Sequence, residues 1–159
     1  MPRGEQFRNY YPGLIPIETE LWRAWLREHE GEFQAFEYNV HVGQGVTVPA
    51  RLEVGDDPVV AANVARAFQQ ATQKKIDVVG HHGDATWIIE VEDRPGTRAL
   101  GQLLTYRTLL TKQRELLGPV ELVLICRRLG ADMLEAFDEA GVVVWKQEQP
   151  GVFSATKLI

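Results

Sequence analysis

The sequence predicts a single three-layer α/β/α domain with a central mixed sheet, and three observations predict it. Segments with a period-two pattern of apolar residues are interspersed with segments of helical period along the 159 residues. The run Val120–Cys126 is almost continuously apolar, which is typical of a central strand covered on both faces. A helical segment at 131–140 then leads to an apolar strand at 142–146, as in a right-handed βαβ unit.

Length, composition and charge agree with one globular domain. Hydrophobic residues make up 45% and charged residues 25%, which excludes a disordered chain. No apolar run approaches the roughly 18 residues of a membrane span, and the first residues show no signal-peptide pattern. The single cysteine, Cys126, lies in an apolar run and predicts a buried thiol, so we expect a cytoplasmic protein without a membrane partner. The net charge of −5 argues against a purely electrostatic nucleic-acid binder, but not against an enzyme whose site is built from carboxylates.

The first elements are an irregular arm over residues 1–14 and a helix from Pro16 to about His29. Proline suits the first helical position. Glu18 falls near the middle of the apolar stripe of this helix, whereas Glu20 falls on the solvent side. The stripe consists of Ile17, Leu21, Trp22, Trp25 and Leu26. A carboxylate on a buried face needs a partner, so Glu18 is a candidate site residue.

An extra N-terminal β-hairpin is predicted next. Gly43-Gln44-Gly45 is a turn signal between two alternating segments, and Pro49 places the second strand at an edge. The apolar faces consist of Phe36, Tyr38, Val40 and Val42 on the first strand, and of Val46, Val48, Ala50, Leu52 and Val54 on the second.

The rest of the domain, which we expect to end at residue 146, alternates helices and strands. Asp56-Asp57-Pro58 opens a helix that ends near residue 72, and Gly141 closes the helix over 131–140. The other elements are strands at about 75–82 and 85–92, a helix at about 97–115, and strands at about 119–126 and 142–146. Residues 147–159 are expected to form a C-terminal tail.

The strands at 75–82 and 85–92 form a second predicted hairpin. Gly83-Asp84 suits a two-residue turn, because glycine supplies the positive φ that the first central position requires. This register pairs His82 with Ala85. One face of the hairpin is then apolar and consists of Ile76, Val78, Trp87, Ile89 and Val91.

The other face of this hairpin ends in four charged residues. The register places Asp77 opposite Glu90 and Lys75 opposite Glu92, with Cβ atoms roughly 4.5–5.5 Å apart. Opposed carboxylates repel one another unless a cation or a shared proton compensates. A divalent cation is the simplest compensation, since Mg²⁺ binds one or two carboxylates plus waters. The alternative is a solvated strand end at which Lys75 pairs with Glu92.

The segment around these charges resembles the core of the PD-(D/E)xK phosphodiesterases, and its pattern is most like that of small DNA-repair and mismatch-type endonucleases. The resemblance covers residues 74–146. It is carried by Ile76-Asp77, then Ile88-Ile89-Glu90-Val91-Glu92, then Ala99-Leu100-Gly101-Gln102-Leu103-Leu104-Thr105-Tyr106. The resemblance implies an αβββαβ restriction-endonuclease-like core and Mg²⁺- or Mn²⁺-dependent hydrolysis of DNA.

The resemblance also assigns metal ligands. Asp77 and Glu90 match the two metal-binding carboxylates, and the backbone carbonyl of Val91 is a further expected ligand. Glu18 matches the acidic residue of the first helix.

Four residues beyond the strands have expected roles toward the substrate. Gln102 and Tyr106 match polar positions on the helix behind the site, although packing at the edge of an amphipathic helix is the alternative. Arg94 and Arg98 follow the second strand and are placed to contact substrate phosphates. Their alternative is a role as solvated surface arginines.

Glu92 stands where the family has its usual lysine, and Ile76 stands where it has proline. Some restriction endonucleases of this class carry glutamate at the lysine position and remain active, and Lys75 offers an ammonium group from the neighbouring strand. Loss of the lysine is also how inactive members arise. Two hypotheses follow: a metal-dependent DNA nuclease, or a catalytically silent module that binds nucleic acid or a protein partner. The oligomeric state, a homodimer included, is left open.

Overall fold

The computed structural model describes residues 7–47 and 57–156. Within these ranges the chain forms four α-helices, one short 3₁₀ turn and six strands. In chain order the elements are α1 (Pro16–His29), the 3₁₀ turn (Glu30–Glu32), β1 (Ala35–Val42), α2 (Pro58–Thr72), β2 (Lys74–His82), β3 (Ala85–Glu92), α3 (Thr97–Gln113), β4 (Val120–Cys126), α4 (Ala131–Glu139), β5 (Val142–Gln149) and β6 (Val152–Ala155).

The six strands form one mixed sheet in the order of the chain. The pairs β3–β4 and β4–β5 are parallel, whereas the pairs β1–β2, β2–β3 and β5–β6 are antiparallel. The connections between the parallel strands contain α3 and α4, and both helices pack on one face of the sheet. The helix α1 packs on the other face. The predicted fold class, an α/β domain with a mixed sheet between helical layers, is therefore confirmed.

The helix α1 is held to the sheet by its aromatic stripe. The rings of Trp22 and Trp25 are fully buried and stack on one another with centroids 5.4 Å apart. Since each large aromatic side chain buries about 150–250 Å², two of them anchor a helix of four turns. Tyr11 is also fully buried in this layer, so part of the expected arm belongs to the core.

The starts of the helices agree with their sequence signals. Pro16 is the first residue of α1, and Pro58 is the first residue of α2. The side chain of Asp57 caps α2 by accepting a hydrogen bond of 2.9 Å from the N–H of Val59. Neither α2 nor another helix of the described residues is long and apolar enough to cross a membrane.

Two segments of the chain differ from the secondary structure predicted for them. In the predicted N-terminal hairpin, Val46 and Thr47 of the second strand are not in a strand. The rest of that strand, Pro49 included, lies outside the described residues. The described residues of β1 pair with β2. At the other end the predicted tail is wrong for residues 147–155, because β5 continues to Gln149 and turns back into β6.

The strand β1 changes faces at one residue. The side chains of Phe36 and Tyr38 pack in the layer of α1, whereas Val40 and Val42 pack in the layer of α3. The expectation that all four share a face is wrong, because Asn39 between them has a left-handed φ of 52° that rotates the strand.

The same change of face occurs in β2. The ladder pairs Tyr38 with Val78 and Val40 with Ile76, and no pair joins Asn39 with Asp77 between them. Ile76 packs in the layer of α3 and Val78 in the layer of α1, so the predicted common face of these two residues is also wrong. Asp77 therefore lies where β2 switches from one face of the sheet to the other.

Candidate functional site

The turn register of the β2–β3 hairpin is confirmed, but only over part of its length. The pairs run from His82 with Ala85 to Val78 with Ile89, and the ladder ends there. The expected pair of Lys75 with Glu92 is not formed, because the β2–β3 ladder ends before the change of face at Asp77. On its other side β2 stays paired with β1, where Lys75 is opposite His41.

Asp77 uses its side chain where the ladder ends. Its Oδ2 accepts a hydrogen bond of 2.9 Å from the backbone N–H of Val91. Asp77 is thus tied to β3 through its carboxylate, in place of the expected pairing with Glu90. Burial raises the pKa of the Asp77 carboxyl, the Val91 hydrogen bond lowers it in part, and the charges of Glu18 and Glu92 raise it further.

Glu90 is the most buried carboxylate of the site, with 7% of its surface exposed. Its Oε2 is buried and has no hydrogen-bond partner among residues 7–47 and 57–156. Burial is the main cause that raises the pKa of Glu90, followed by the charges of Asp77, Glu92 and Glu18. An ionised carboxylate in this position lacks the compensation that buried charges require.

Glu18 and Glu92 complete the cluster, and both are partly buried. Burial followed by the charge of Glu18 raises the pKa of Glu92. Glu18 also accepts a hydrogen bond of 3.0 Å from the N–H of Ile15, which caps α1. Glu20 is exposed, so the choice of Glu18 over Glu20 agrees with the structure. We call Glu18, Asp77, Glu90 and Glu92 the acidic cluster.

The cation that acts on this cluster is Arg98, in the first turn of α3. Its charge lowers the pKa of Glu90 and that of Glu92. Arg94 is directed elsewhere: its side chain is 66% exposed and pairs with Asp93 at 3.6 Å. Lys75 is exposed. Since Ile76 faces α3, the alternation of a strand puts Lys75 on the opposite face.

A groove of about 510 Å³ opens between α3 and the start of β2. Arg98, Gln102 and Tyr106 line it, together with Lys74, which the sequence analysis did not single out. Gln102 Nε2 donates a hydrogen bond of 3.0 Å to Tyr106 Oη. Burial and then the charge of Glu90 raise the pKa of the Tyr106 phenol, so it stays protonated beside the cluster. The groove thus joins the residues expected on α3 to a lysine of β2.

The acidic cluster suits a divalent cation that is coordinated by two carboxylates and several waters, and not one that is coordinated by protein ligands alone. In the part of the chain that the structure describes, no group of three or more His, Cys, Asp or Glu side chains is arranged to hold a metal ion. A cation there would take Asp77, the free oxygen of Glu90 and waters, which is a common arrangement for Mg²⁺. The N–H of Val91 is used by Asp77, and the ligand role of its carbonyl stays a prediction.

Comparisons with models of known protein families, with curated proteins and with solved structures gave no match.

Proposed function

We propose that the chain is a metal-dependent phosphodiesterase that hydrolyses DNA. The observation that carries the proposal is the unpartnered, buried Oε2 of Glu90. It belongs to a carboxylate surrounded by three others, beside a groove that contains Arg98 and Lys74. The excess of carboxylates suits a divalent cation, and the cationic side chains of the groove suit a phosphate group next to that cation.

Asp77 and Glu90 would hold Mg²⁺ or Mn²⁺. Such an ion lowers the pKa of a bound water and stabilises the charge that develops on the phosphate. Since Asp77 is fixed by the N–H of Val91, its other oxygen is free to bind. Burial first, and then the neighbouring carboxylate charges, raise the pKa of both carboxyls, and a bound cation would offset both effects.

The proton of the attacking water would pass to Glu92. Glu92 lies two residues after Glu90, so both side chains project from the same face of β3. Its raised pKa makes it a better proton acceptor than an ordinary surface carboxylate. Arg98 would contact the phosphate. Tyr106 would donate a hydrogen bond to a substrate oxygen, while Gln102 holds the phenol oxygen of Tyr106 by a hydrogen bond.

A catalytically silent binding module is the second candidate, and the position of Lys75 favours it. The family to which the sequence bears its resemblance uses a lysine at position 92, and Lys75 does not replace that group because it lies beyond the end of the β2–β3 ladder and is exposed. Lys74, and not Lys75, lines the groove between α3 and the start of β2.

Two measurements test the proposal. We expect calorimetric titration with Mn²⁺ and Mg²⁺ to show binding that Glu90→Gln and Asp77→Asn abolish, with Glu135→Gln on the exposed face of α4 as a control. We expect cleavage of supercoiled DNA with either ion and none in EDTA. Binding of metal without cleavage of any DNA would favour the silent module, and absence of metal binding would refute the nuclease proposal.

A cytoplasmic location belongs to the same proposal. Its support is Cys126, a fully buried free thiol whose pKa burial raises to about 12.

A further inference from the structure

A second groove, of about 620 Å³, lies between α1 and the end of β5. Three arginines line it: Arg23 and Arg27 from α1, and Arg127 from the loop after β4. The end of β5 and the turn that follows it, residues 147–151, form its other wall. None of these residues belongs to the acidic cluster, and we call this site the arginine groove.

Arg23 and Arg27 line this groove with guanidinium groups that no carboxylate of the described residues neutralises. Their spacing of four residues puts them on one face of α1. Neither forms an ion pair with any of residues 7–47 or 57–156. The Nε of Arg23 is buried and has no hydrogen-bond acceptor in the described part of the chain. Because a buried guanidinium N–H without an acceptor is unfavourable, the groove favours a ligand that carries acceptor oxygens.

Arg127 is held in place by its neighbours. Its Nε donates a hydrogen bond of 3.2 Å to Gln147 Oε1, and one of its terminal nitrogens lies 3.4 Å from Asp93 Oδ1. The groove also contains Glu20 and Glu148, and Glu148 accepts a hydrogen bond of 2.8 Å from Ser154. Three arginines and two glutamates leave the lining positive, in a chain whose net charge is −5.

Two elements, β4 and α1, connect the arginine groove to the acidic cluster. Arg127 follows Cys126, which is the register partner of Glu92. On α1, Arg23 is five residues beyond Glu18 and Arg27 is nine beyond it. At about 1.5 Å per residue these arginines are roughly 7.5 and 13.5 Å along the helix axis from Glu18. Around the helix, however, they lie about 140° and 180° from Glu18. The position of Arg127, one residue beyond the register partner of Glu92, is therefore what brings the arginine groove next to the acidic cluster.

We propose that the arginine groove binds backbone phosphates of the same nucleic-acid strand that the acidic cluster acts on, an inference that rests on the proposed function. Arginine matches phosphate oxygens with two parallel N–H donors, and a free guanidinium at each of two successive helical turns matches a repeating anion. Contacts to phosphates carry no sequence information, so the groove positions the strand irrespective of its base sequence.

The test is the binding of a fluorescently labelled single-stranded DNA in EDTA, measured by anisotropy at several salt concentrations. We expect Arg23→Gln/Arg27→Gln to weaken binding about tenfold or more and to lower the slope of log K against log salt by roughly 1.4, at about 0.7 per phosphate contact. The control is Arg66→Gln/Arg107→Gln, which removes the same charge from exposed positions of α2 and α3. We expect it to change the affinity less than about twofold.

Three outcomes would overturn the inference. They are a parent protein that does not bind the oligonucleotide, equal losses in the groove and control variants, and an acidic peptide that displaces the probe better than unlabelled DNA does. Arg27→Gln alone serves if the double variant does not fold, because Arg27 is exposed. Calorimetry with Mn²⁺ separates this inference from the proposed function, since the groove variant should keep the metal affinity of the parent. Loss of DNA binding by that variant, in a protein that binds no metal, would leave the groove assignment standing and refute the nuclease.

Discussion

At the scale of single residues, Glu90 determines the electrostatics of the site. Its carboxyl is buried without a hydrogen bond on Oε2, and its pKa is raised. The folded protein therefore binds a proton that the unfolded chain has already released above the ordinary carboxyl pKa. The stabilising effect of that proton is present in acid and is lost as the pH rises through the raised pKa.

The first prediction follows from this linkage. In EDTA, we expect the parent protein to lose unfolding free energy between about pH 5 and about pH 8, by up to roughly 1.4 kcal/mol per pH unit for each proton. Glu90→Gln should lose less, because an amide keeps the site neutral at both pH values. Urea unfolding at the two pH values measures the difference, with Glu135→Gln as the matched control. An identical pH dependence in the parent and in Glu90→Gln would contradict the raised pKa.

The second prediction concerns the residue at the lysine position of the family. We expect Glu92→Ala to abolish DNA cleavage and to leave the fold intact, because no other group is then placed to accept the proton of the water. Glu92→Lys should retain or raise the activity. Plasmid cleavage and circular dichroism measure both effects. If Glu92→Ala cleaves as well as the parent, the assignment of Glu92 is wrong, and if Glu92→Lys converts an inert parent into a nuclease, the silent-module hypothesis is correct.

The third prediction tests which of the two lysines at the start of β2 faces the site, Lys74 or Lys75. Because Lys75 is exposed and lies on the face of β2 away from α3, we expect Lys75→Ala to change cleavage little. Lys74→Ala should weaken DNA binding, since Lys74 lines the groove beside α3. The two single variants, compared in the same binding and cleavage assays, serve as controls for each other. If Lys75→Ala had the larger effect on cleavage, Lys75 would lie beside Glu92, as the sequence predicts.

At the scale of elements, the sequence predicts most strands and helices but not where a strand changes faces. The β2–β3 register follows from the Gly83-Asp84 turn, which acts locally and is visible in the sequence. Alternation of apolar residues, by contrast, assumes an uninterrupted strand. It cannot detect the left-handed backbone of Asn39, and for this reason the positions of Ile76 and Lys75 are predicted wrongly. The strand β6 is missed because its four residues carry no clear alternation.

The kink at Asn39 gives a prediction of its own. Asparagine tolerates a φ of 52°, whereas a β-branched residue does not, so Asn39→Val should cost on the order of 1–3 kcal/mol of unfolding free energy. We expect Asn39→Gly to be tolerated at this position. Asn39→Val should also weaken metal binding, because Asp77 lies next to this kink. Thermal unfolding and calorimetry on the three proteins measure both effects, and equal stabilities of the valine and glycine variants would argue against a required left-handed conformation.

At the scale of the whole molecule, the sheet keeps unlike charges in separate places. The acidic cluster lies where β2 and β3 part, Arg98 and Lys74 line the groove beside α3, and the arginine groove lies along α1. The residues of the acidic cluster were predicted from sequence because strand and helix spacing place them. The arginine groove was not, since its members come from three segments whose proximity depends on the packing of α1 against β4 and β5.

The last prediction follows from the location of the acidic cluster at the junction of β2, β3 and α1. Repulsion among its carboxylates acts on all three elements, so a cation bound there should stabilise the whole domain. At a free Mn²⁺ concentration of about 100 times the dissociation constant, linkage gives about 2.7 kcal/mol. For a domain of this size that corresponds to a rise in Tm of roughly 5–10 °C. We expect this rise in the parent, a similar rise in Glu135→Gln, and none in Glu90→Gln, which should instead be more stable than the parent in EDTA at neutral pH. Calorimetric scans with and without Mn²⁺ measure all three, and an equal rise in the parent and in Glu90→Gln would place the cation outside the acidic cluster.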